Sequence, residues 1–278
     1  MGGFKNSTSK KILRSLGLHR SQSKEPVDFK SEPWASAPLV TPRHAVCKTW
    51  NESAARKACR ESGNQLFICT AEDMIGGREL NLPEWYVVAM RSKTQGRRKC
   101  KDLLWRIEIA KGMKVLVMDN IKTDLDVTNG ARGEIVDIIL HPDEPPISDS
   151  DPVVYLQYVP AYILVKLSCT RASQLAGLED AVILVEVATT SMKISIRVHG
   201  GKTMTRTVRR RQYSITAAYA FTDYRSQEQT LPYVVVDIAK PSTGGLTLFN
   251  LYVTLSRSSG RNTIRACSVR VFLSATKC

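Results

Sequence analysis

A short apolar run near the carboxyl terminus constrains the fold of this chain more than any other feature. Residues 233–238 read YVVVDI, a β-branched sequence that is typical of a buried strand. Residues 246–255 follow with apolar side chains at helical spacing, and residues 264–272 predict a final strand. Because strands and helices alternate in α/β proteins, we expect an α/β fold at this end of the chain.

The first folded segment repeats this alternation. Residues 39–41 predict a short strand, and Pro42 suits the first turn of a helix for which Thr41 is the N-cap. We expect this helix to extend to about Arg60, and a second apolar strand to follow at residues 66–69. The predicted apolar face of the helix consists of Val46, Trp50, Ala54 and Ala58.

The middle of the chain is rich in predicted strands. Asn129, Gly130 and Gly133 predict turns between two of them. The predicted strands are residues 113–118, 134–140, 153–158, 161–167 and 181–188, followed by a hairpin of residues 194–198 and 204–210. This region therefore predicts a small β-barrel or sheet, after which residues 215–221 predict a buried strand that runs into a helix.

The charge of the chain indicates a polyanionic partner. Forty Lys and Arg residues against 26 Asp and Glu residues give a formal net charge of +14. The basic residues concentrate in residues 1–24, 193–225 and 256–278, where acidic residues are nearly absent. Clustered cations beside a folded core favour nucleic acid, since each neutralised phosphate releases counterions. A generally solvated basic surface is the alternative interpretation.

Cysteine spacing and hydropathy argue against several other classes of protein. The seven cysteines form no CxxC pair, which favours free thiols in a reducing compartment and predicts no metal site. No apolar run reaches the roughly 18 residues that a membrane span requires, so we expect no membrane association. Residues 1–38 predict a disordered basic leader, with a mitochondrial presequence as the alternative.

Two short stretches imitate nucleotide-binding motifs. Gly201, Lys202 and Thr203 resemble the end of a phosphate-binding P-loop, but Ile196 stands where that loop needs a glycine, and the residues that follow predict a strand. Asp237 ends a strand that resembles a Walker B strand, yet Ile238 replaces the second carboxylate, so a structural acid is expected. The sequence therefore predicts no Mg-ATP site formed by this chain alone.

Two longer stretches are more specific. Residues 213–238 (YSITAAYAFTDYRSQEQTLPYVVVDI) and residues 249–261 (FNLYVTLSRSSGR) resemble, in this order, motifs V and VI of superfamily-one helicases of the RecD-like, petite-integration-frequency family. The most similar sequences in that family are fungal and transposon-type helicases. Residues 111–138 and, more weakly, residues 41–51 resemble further segments of the same family, so the resemblance extends over about residues 39–272.

The resemblance implies a fold, a function and an organisation into domains. It implies a RecA-like second motor domain with a β-rich, SH3-like insert. A leader (1–38) would precede the first part of that domain (39–125), the insert (126–212) and its remainder (213–278). The implied function is the C-terminal motor domain of an ATP-dependent DNA helicase, moving 5′ to 3′. Mg-ATP would bind only together with an upstream RecA-like domain, and the partner would be single-stranded or forked DNA.

The cellular role implied by the family is DNA repair, recombination and telomere maintenance. The nucleus is the expected compartment, with the mitochondrion as the alternative. Two other functions stay open, a non-catalytic basic nucleic-acid-binding protein and an inactive transposon-derived remnant.

The resemblance also assigns site residues. Arg257 matches the arginine finger, whose planar, permanently charged guanidinium stabilises charge on the γ-phosphate during transfer; an ordinary arginine at a helix end is the alternative. The other expected nucleotide contacts are Arg43, Ser226, Gln227 and Glu228. The expected DNA contacts are Thr222, Tyr224, Arg225 and Thr230. Glu228 departs from the family, which generally has glycine there, and this favours the inactive alternative.

Overall fold

The computed structural model describes residues 28–29, 31–94, 103–118, 130–168, 179–197, 203–222, 231–239 and 248–267. Within them the chain forms three α-helices and sixteen strands in four sheets. The helices are α1 (His44–Ser62), α2 (Leu82–Thr94) and α3 (Leu248–Leu255). The strands are β1 (Leu39–Val40), β2 (Leu66–Thr70), β3 (Glu72–Ile75), β4 (Arg78–Glu79), β5 (Arg106–Ile109), β6 (Lys114–Val117), β7 (Arg132–Ile139), β8 (Val153–Tyr155), β9 (Tyr162–Leu167), β10 (Val182–Val185), β11 (Ala188–Arg197), β12 (Thr203–Gln212), β13 (Ile215–Ala217), β14 (Ala220–Phe221), β15 (Val234–Asp237) and β16 (Ile264–Cys267). The mixed α/β class predicted from the sequence is confirmed.

A parallel sheet joins the two ends of the folded chain. Its strand order is β14-β1-β15-β16, and every neighbouring pair is parallel. Leu39 pairs with Ala220 on one side and with Val235 on the other. All four residues of β15 are buried, as expected for a central strand covered on both faces. The two apolar runs that predict the α/β fold therefore lie next to each other in this sheet.

Helix α1 begins later than the sequence predicts. Its N-cap is Arg43, and Thr41 is not the cap. The Thr41 hydroxyl instead accepts a 3.1 Å hydrogen bond from the Arg43 amide and donates a 2.7 Å hydrogen bond to Asp237. The helix ends at Gly63, whose φ of 70° is the left-handed conformation that glycine adopts without strain at a helix C-terminus.

The buried face of α1 differs from the predicted face by one residue. The buried side chains are those of Asn51, Ala55 and Cys59. The predicted apolar side chains lie one residue earlier in each turn and are only half-buried. The reason is Asn51, a polar residue that periodicity of apolar side chains cannot assign to a core-facing position. Its side-chain amide forms hydrogen bonds with backbone groups of the parallel sheet, so that face of the helix packs against the sheet.

A five-stranded antiparallel sheet, ordered β10-β9-β7-β6-β13, contributes much of the largest hydrophobic core. Tyr213, which precedes this sheet's last strand, is fully buried, and its hydroxyl donates a 2.8 Å hydrogen bond to the carbonyl oxygen of Pro160. Burial raises the pKa of Tyr213 above its ordinary range. The strands predicted at residues 134–140, 161–167 and 181–188 form this sheet, so β-rich structure in the middle of the chain is confirmed.

Gly133 lies inside a strand and not in the predicted turn. It is the second residue of β7, where a Cβ atom would lie 2.5 Å from the backbone oxygen of Lys166 and 2.5 Å from a methyl carbon of Val165. Gly130, by contrast, has a φ of 100° and belongs to a turn, as predicted. The two glycines therefore serve different purposes, a turn at Gly130 and close approach of two strands at Gly133.

Residues 215–221 form two short strands that belong to different sheets, and not one strand. Strand β13 pairs antiparallel with β6, whereas β14 pairs parallel with β1. The chain leaves one sheet and enters the other through Ala218 and Tyr219, and the carbonyl oxygen of Tyr219 accepts a 3.0 Å hydrogen bond from Leu39. Both pairings join residues far apart in sequence, such as Ile215 with Val117 and Ala220 with Leu39, and a local pattern cannot show such long-range pairing.

The predicted hairpin is present and longer than expected. Strands β11 and β12 pair antiparallel over ten residue pairs, from Ala188 with Gln212 to Arg197 with Thr203. With β3 and β4 they form a four-stranded sheet of order β11-β12-β3-β4. A separate three-stranded sheet has the order β5-β2-β8. Thr203 begins a strand and not a helix, in agreement with the β-structure predicted after the GKT triplet.

Helix α2, which the sequence analysis does not predict, packs on this hairpin. Asn81 and Glu84 form a capping box, since Asn81 Oδ1 accepts from the Glu84 amide at 3.0 Å and Glu84 Oε2 accepts from the Asn81 amide at 2.9 Å. Arg78 also donates two hydrogen bonds to the buried Glu84 carboxylate. The Arg78 guanidinium, with the Asn81 amide, lowers the pKa of Glu84 to about 2. The Asn-Leu-Pro-Glu sequence carries this signal.

Candidate functional site

Polar side chains lie at the carboxyl edge of the parallel sheet. Thr222 follows β14, Thr41 follows β1, and Asp237 is the last residue of β15. These three strands are neighbours in the sheet, in the order β14-β1-β15. All three side chains are buried. Since ligands of open α/β sheets bind outside the carboxyl ends of the strands, this edge is a candidate binding site.

Asp237 holds Arg43 at this edge. Its Oδ2 atom lies 2.6 Å from Arg43 Nη2 and 2.8 Å from Arg43 Nε, and it accepts the hydroxyl of Thr41 at 2.7 Å. The Asp237 side chain is fully buried, whereas that of Arg43 is 19% exposed. A buried carboxylate requires such partners, so Asp237 has a structural role as expected. Only the Arg43 donors that Asp237 does not engage remain available to another ligand.

Arg257 follows the carboxyl end of α3. Its Nε atom donates to the carbonyl oxygen of Val253 at 3.0 Å, and its Nη2 atom donates to the Ser256 hydroxyl at 2.8 Å. Its own carbonyl oxygen accepts a 2.7 Å hydrogen bond from the amide of Leu231. Leu231 is the first described residue after residues 223–230, so Arg257 lies directly against the end of that segment.

The predicted site residues do not all meet at one place. Arg257 lies beside Leu231, before β15 begins, whereas Arg43 lies beside Asp237, where β15 ends. The four residues of β15 span about 13 Å. The structure therefore separates Arg43 and Thr222 from Arg257 along the strand direction. The remaining predicted contacts, which are Tyr224, Arg225, Ser226, Gln227, Glu228 and Thr230, lie outside the described residues.

Asn51 fixes the strand that leads to Thr222. Its Oδ1 atom accepts hydrogen bonds from the amides of Tyr219 at 2.9 Å and Ala220 at 2.7 Å, and its Nδ2 atom donates to the Ala220 carbonyl at 3.0 Å. These bonds satisfy backbone groups of an edge strand that α1 covers. The sequence analysis missed this residue. Asn51, Ala55 and Cys59 follow one another at intervals of four residues along the helix. This spacing is the signal that could have identified Asn51.

Arg132 is a second residue that the sequence analysis missed. Its Cζ atom lies 4.3 Å from the centroid of the Phe221 ring, a cation–π contact. Its Nε and Nη2 atoms are buried and have no hydrogen-bond partner within the part of the chain that the structure describes. Burial lowers the pKa of Arg132 to about 10, so the group stays charged at neutral pH. The sequence signal that could have identified Arg132 is its position between two structural glycines, Gly130 and Gly133.

A groove with a volume of about 480 Å³ lies beside this arginine. Lys114, Arg132 and Lys166 line it, and Glu134 is its acidic residue. The other lining residues are Val115, Gly133, Val136, Leu167, Ser168 and Ala218. The three cations outnumber the single carboxylate, so the groove suits an anion.

Part of the basic charge that predicts a polyanionic partner is neutralised inside the fold. Arg210 is buried and binds the Asp73 carboxylate through two nitrogens, at 2.8 and 2.7 Å. Arg211 binds Glu72 at 2.7 Å. Both carboxylates belong to β3, which pairs with the basic strand β12. These two arginines therefore stabilise the hairpin sheet, and the hairpin is less basic than its sequence indicates.

Over the residues that the structure describes, no group of three or more His, Cys, Asp or Glu side chains is arranged to hold a metal ion. No helix in the same part of the chain is long and apolar enough to cross a membrane. Cys59 and Cys69 are buried free thiols, and burial raises the pKa of Cys69 to about 12.

Solved helicase structures share this fold. No protein-family model and no curated protein matches the sequence. The Pif1 helicase from Candida albicans is 15% identical with a TM-score of 0.54, over 98% of this chain and 53% of that chain. Bacteroides Pif1 bound to ssDNA is 14% identical with a TM-score of 0.52, over 94% of this chain and 45% of that chain. The chain thus spans about half the length of these structures. It has the helicase-type fold found in Pif1 helicases.

Proposed function

We propose that this chain is the second, RecA-like motor domain of an ATP-dependent DNA helicase, with an SH3-like β-rich insert. Residues 39–125 and 213–278 would form the motor domain, and residues 126–212 would form the insert. One observation carries the proposal. The two stretches that resemble motifs V and VI are joined by the 2.7 Å hydrogen bond between the Leu231 amide and the Arg257 carbonyl oxygen. The helicase-type fold supports the same assignment.

Arg257 is the proposed arginine finger. The oxygens that accept its Nε and Nη2 hydrogen bonds, on Val253 and Ser256, are neutral. Exchanging neutral acceptors for the charged oxygens of a γ-phosphate strengthens the hydrogen bonds. Arg43, whose guanidinium is bound to a buried carboxylate, has fewer donors left for a phosphate. We therefore assign the γ-phosphate contact to Arg257 and a secondary nucleotide contact to the remaining donors of Arg43.

The segment between β14 and Leu231 is the proposed link between nucleotide and DNA. Thr222, at the carboxyl edge of the sheet, would begin a DNA-backbone contact that continues through Tyr224, Arg225 and Thr230. Ser226, Gln227 and Glu228 would lie nearer to Mg-ATP, which an upstream RecA-like domain would bind on its other side. Hydroxyl and guanidinium groups suit phosphates, and rings suit stacking on single-stranded bases.

The experiment joins the chain to a RecA-like domain that carries a P-loop. Replacing Arg257 with Ala should lower DNA-stimulated ATP hydrolysis by about 10³-fold or more, since arginine fingers contribute that much in GTPases. Binding of single-stranded DNA should change by less than about twofold. The matched control is Arg56→Ala, because Arg56 lies on the exposed side of α1 and pairs with Glu108. ATP hydrolysis that is equal in the two variants would refute the role of Arg257.

A non-catalytic nucleic-acid-binding protein is the second candidate function. Glu228, in place of the family's glycine, favours it, because a carboxylate near a phosphate adds repulsion. Replacing Glu228 with Gly in the joined protein separates the two candidates. A motor that is already active would keep its rate of ATP hydrolysis, whereas a decayed motor would gain activity only in the variant.

A further inference from the structure

The backbone of Arg132 is held on both sides. Arg132 is the first residue of β7 and pairs with Leu116 of β6. Its carbonyl oxygen accepts a 2.8 Å hydrogen bond from the Ser168 amide on the other side. The preceding turn contains Gly130 in a left-handed conformation. The direction of the arginine side chain is therefore fixed by strand pairing, as a preorganised binding residue requires.

Two nitrogens of the Arg132 guanidinium are buried, and no carboxylate among the described residues pairs with them. The guanidinium lies on the Phe221 ring at 4.3 Å, while Nε and Nη2 have no hydrogen-bond partner in the same part of the chain. Arg43 and Arg210, by contrast, are each bound by a buried or partly buried carboxylate. An unpaired buried cation opposes folding, because its lost hydration is not replaced. Such a group is expected where an anionic ligand supplies the missing acceptors.

The surroundings of Arg132 indicate which anion this is. The groove beside it is lined by two further cations, Lys114 and Lys166, and by one carboxylate, Glu134. Phe221, on which the guanidinium lies, directly precedes Thr222 at the carboxyl edge of the parallel sheet. Three cations in one groove match the repeating charge of a nucleic-acid backbone.

We propose that Arg132 binds a phosphodiester group of single-stranded nucleic acid in the groove lined by Lys114, Arg132 and Lys166, with Phe221 holding the guanidinium in place. This inference rests on the proposed function, because it adds a contact to the same DNA track. The resemblance to helicase motifs assigns no site residue to this groove.

The test measures binding of the full chain to an oligothymidine of about 15 nucleotides over a range of salt concentrations. In Arg132→Met the affinity should fall about tenfold at low salt, as expected for one lost charge-assisted contact. The slope of log affinity against log salt should flatten by about 0.7, the value for one phosphate of a single strand. Arg132→Lys should keep most of the slope. Arg56→Met, which removes an exposed arginine of α1, should leave the slope unchanged.

Thermal unfolding without DNA separates binding from a structural role. Arg132→Met should unfold at the same temperature as the original chain or higher, because a buried charge without a partner is removed. Arg210→Met, which breaks a buried ion pair with Asp73, should unfold at a lower temperature. A fall in unfolding temperature for Arg132→Met that equals the fall for Arg210→Met would show a structural arginine and would overturn the inference.

The binding outcomes distinguish this inference from the proposed function. If the original chain binds oligothymidine and Arg132→Met binds with the same slope, the inference is wrong while DNA binding stands. If the original chain does not bind oligothymidine at any salt concentration, both are wrong. Competition by inorganic phosphate is the remaining test. If phosphate at matched ionic strength abolishes the Arg132-dependent part of binding at millimolar concentration, the groove is a site for free phosphate and the nucleic-acid assignment fails.

Discussion

The amide of Leu231 and the carbonyl oxygen of Arg257 are joined by a 2.7 Å hydrogen bond. This bond connects the residue that follows segment 223–230 to the arginine at the end of α3. A second bond, from the Ser259 amide to the Leu231 carbonyl oxygen at 3.2 Å, runs in the opposite direction. These two bonds join the backbone at Leu231 to the backbone at Arg257 and Ser259. In the proposed motor, they would connect the nucleotide contact of Arg257 to the segment that contacts DNA.

The buried Asp237 should be essential for stability. Asp237→Ala removes the partner of Arg43 and of the Thr41 hydroxyl, and should lower the free energy of unfolding by about 3–5 kcal/mol. Urea denaturation measures this change. The double variant that also carries Arg43→Met should recover part of the loss, because no unpaired charge then remains. Single and double variants with additive losses would contradict this coupling.

The side-chain amide of Asn51 should also be essential for stability. Asn51→Leu leaves the amides of Tyr219 and Ala220 and the carbonyl of Ala220 without the partners that Asn51 supplies. We expect a loss of about 3 kcal/mol in the free energy of unfolding. Asn64→Leu is the matched control, since Asn64 donates one exposed hydrogen bond, to Lys111 at 3.0 Å, and should lose less than about 1 kcal/mol. Equal losses in the two variants would refute a special role for Asn51.

Two glycines should respond differently to alanine. Gly133→Ala would place a Cβ atom 2.5 Å from the backbone oxygen of Lys166, so the strands must separate, at a cost of about 3 kcal/mol or more. Gly63→Ala introduces a Cβ atom into open space at a φ of 70° and should cost about 1 kcal/mol. Urea midpoints of the two variants measure the difference. A Gly133→Ala variant as stable as Gly63→Ala would contradict the close strand approach.

The Glu84 carboxylate should make stability depend on acidic pH. Its pKa in the folded chain is about 2, below the ordinary value of 4.5, so its stabilisation is complete above pH 4.5 and is lost as pH falls toward 2. Glu84→Gln should unfold more easily at neutral pH, by on the order of 1 kcal/mol, since Arg78 is half exposed and solvent screens the pair. Thermal unfolding at several pH values should show this difference shrinking between pH 4.5 and 2. A difference that stays constant over this range would contradict the assignment.

Local sequence patterns predict the elements whose signal lies within one continuous segment. The run that ends in Asp237 is buried at every position of β15, and helix α3 and the hairpin strands also carry a pattern within a single element. The face of α1 was predicted one residue out of phase, because Asn51 is buried through hydrogen bonds and not through hydrophobicity. Helix α2 was not predicted, although the Asn81–Glu84 capping box marks its start.

The site was less predictable because its contacts are distant in sequence. Arg43 and Asp237 lie 194 positions apart, and nothing near either residue indicates the other. Arg132 and Phe221 belong to β7 and β14, which are distant in sequence, so local periodicity cannot show their contact. The neighbourhood of Arg257 and Leu231 was predictable, because both belong to stretches that resemble helicase motifs in a fixed order.

The most direct measurement is DNA-stimulated ATP hydrolysis by the chain joined to a RecA-like domain that carries a P-loop, compared between the original sequence and Arg257→Ala. We predict a rate lower by about 10³-fold or more in the variant, with unchanged binding of single-stranded DNA. Hydrolysis at the original rate in Arg257→Ala would contradict the assignment of this chain as the second motor domain.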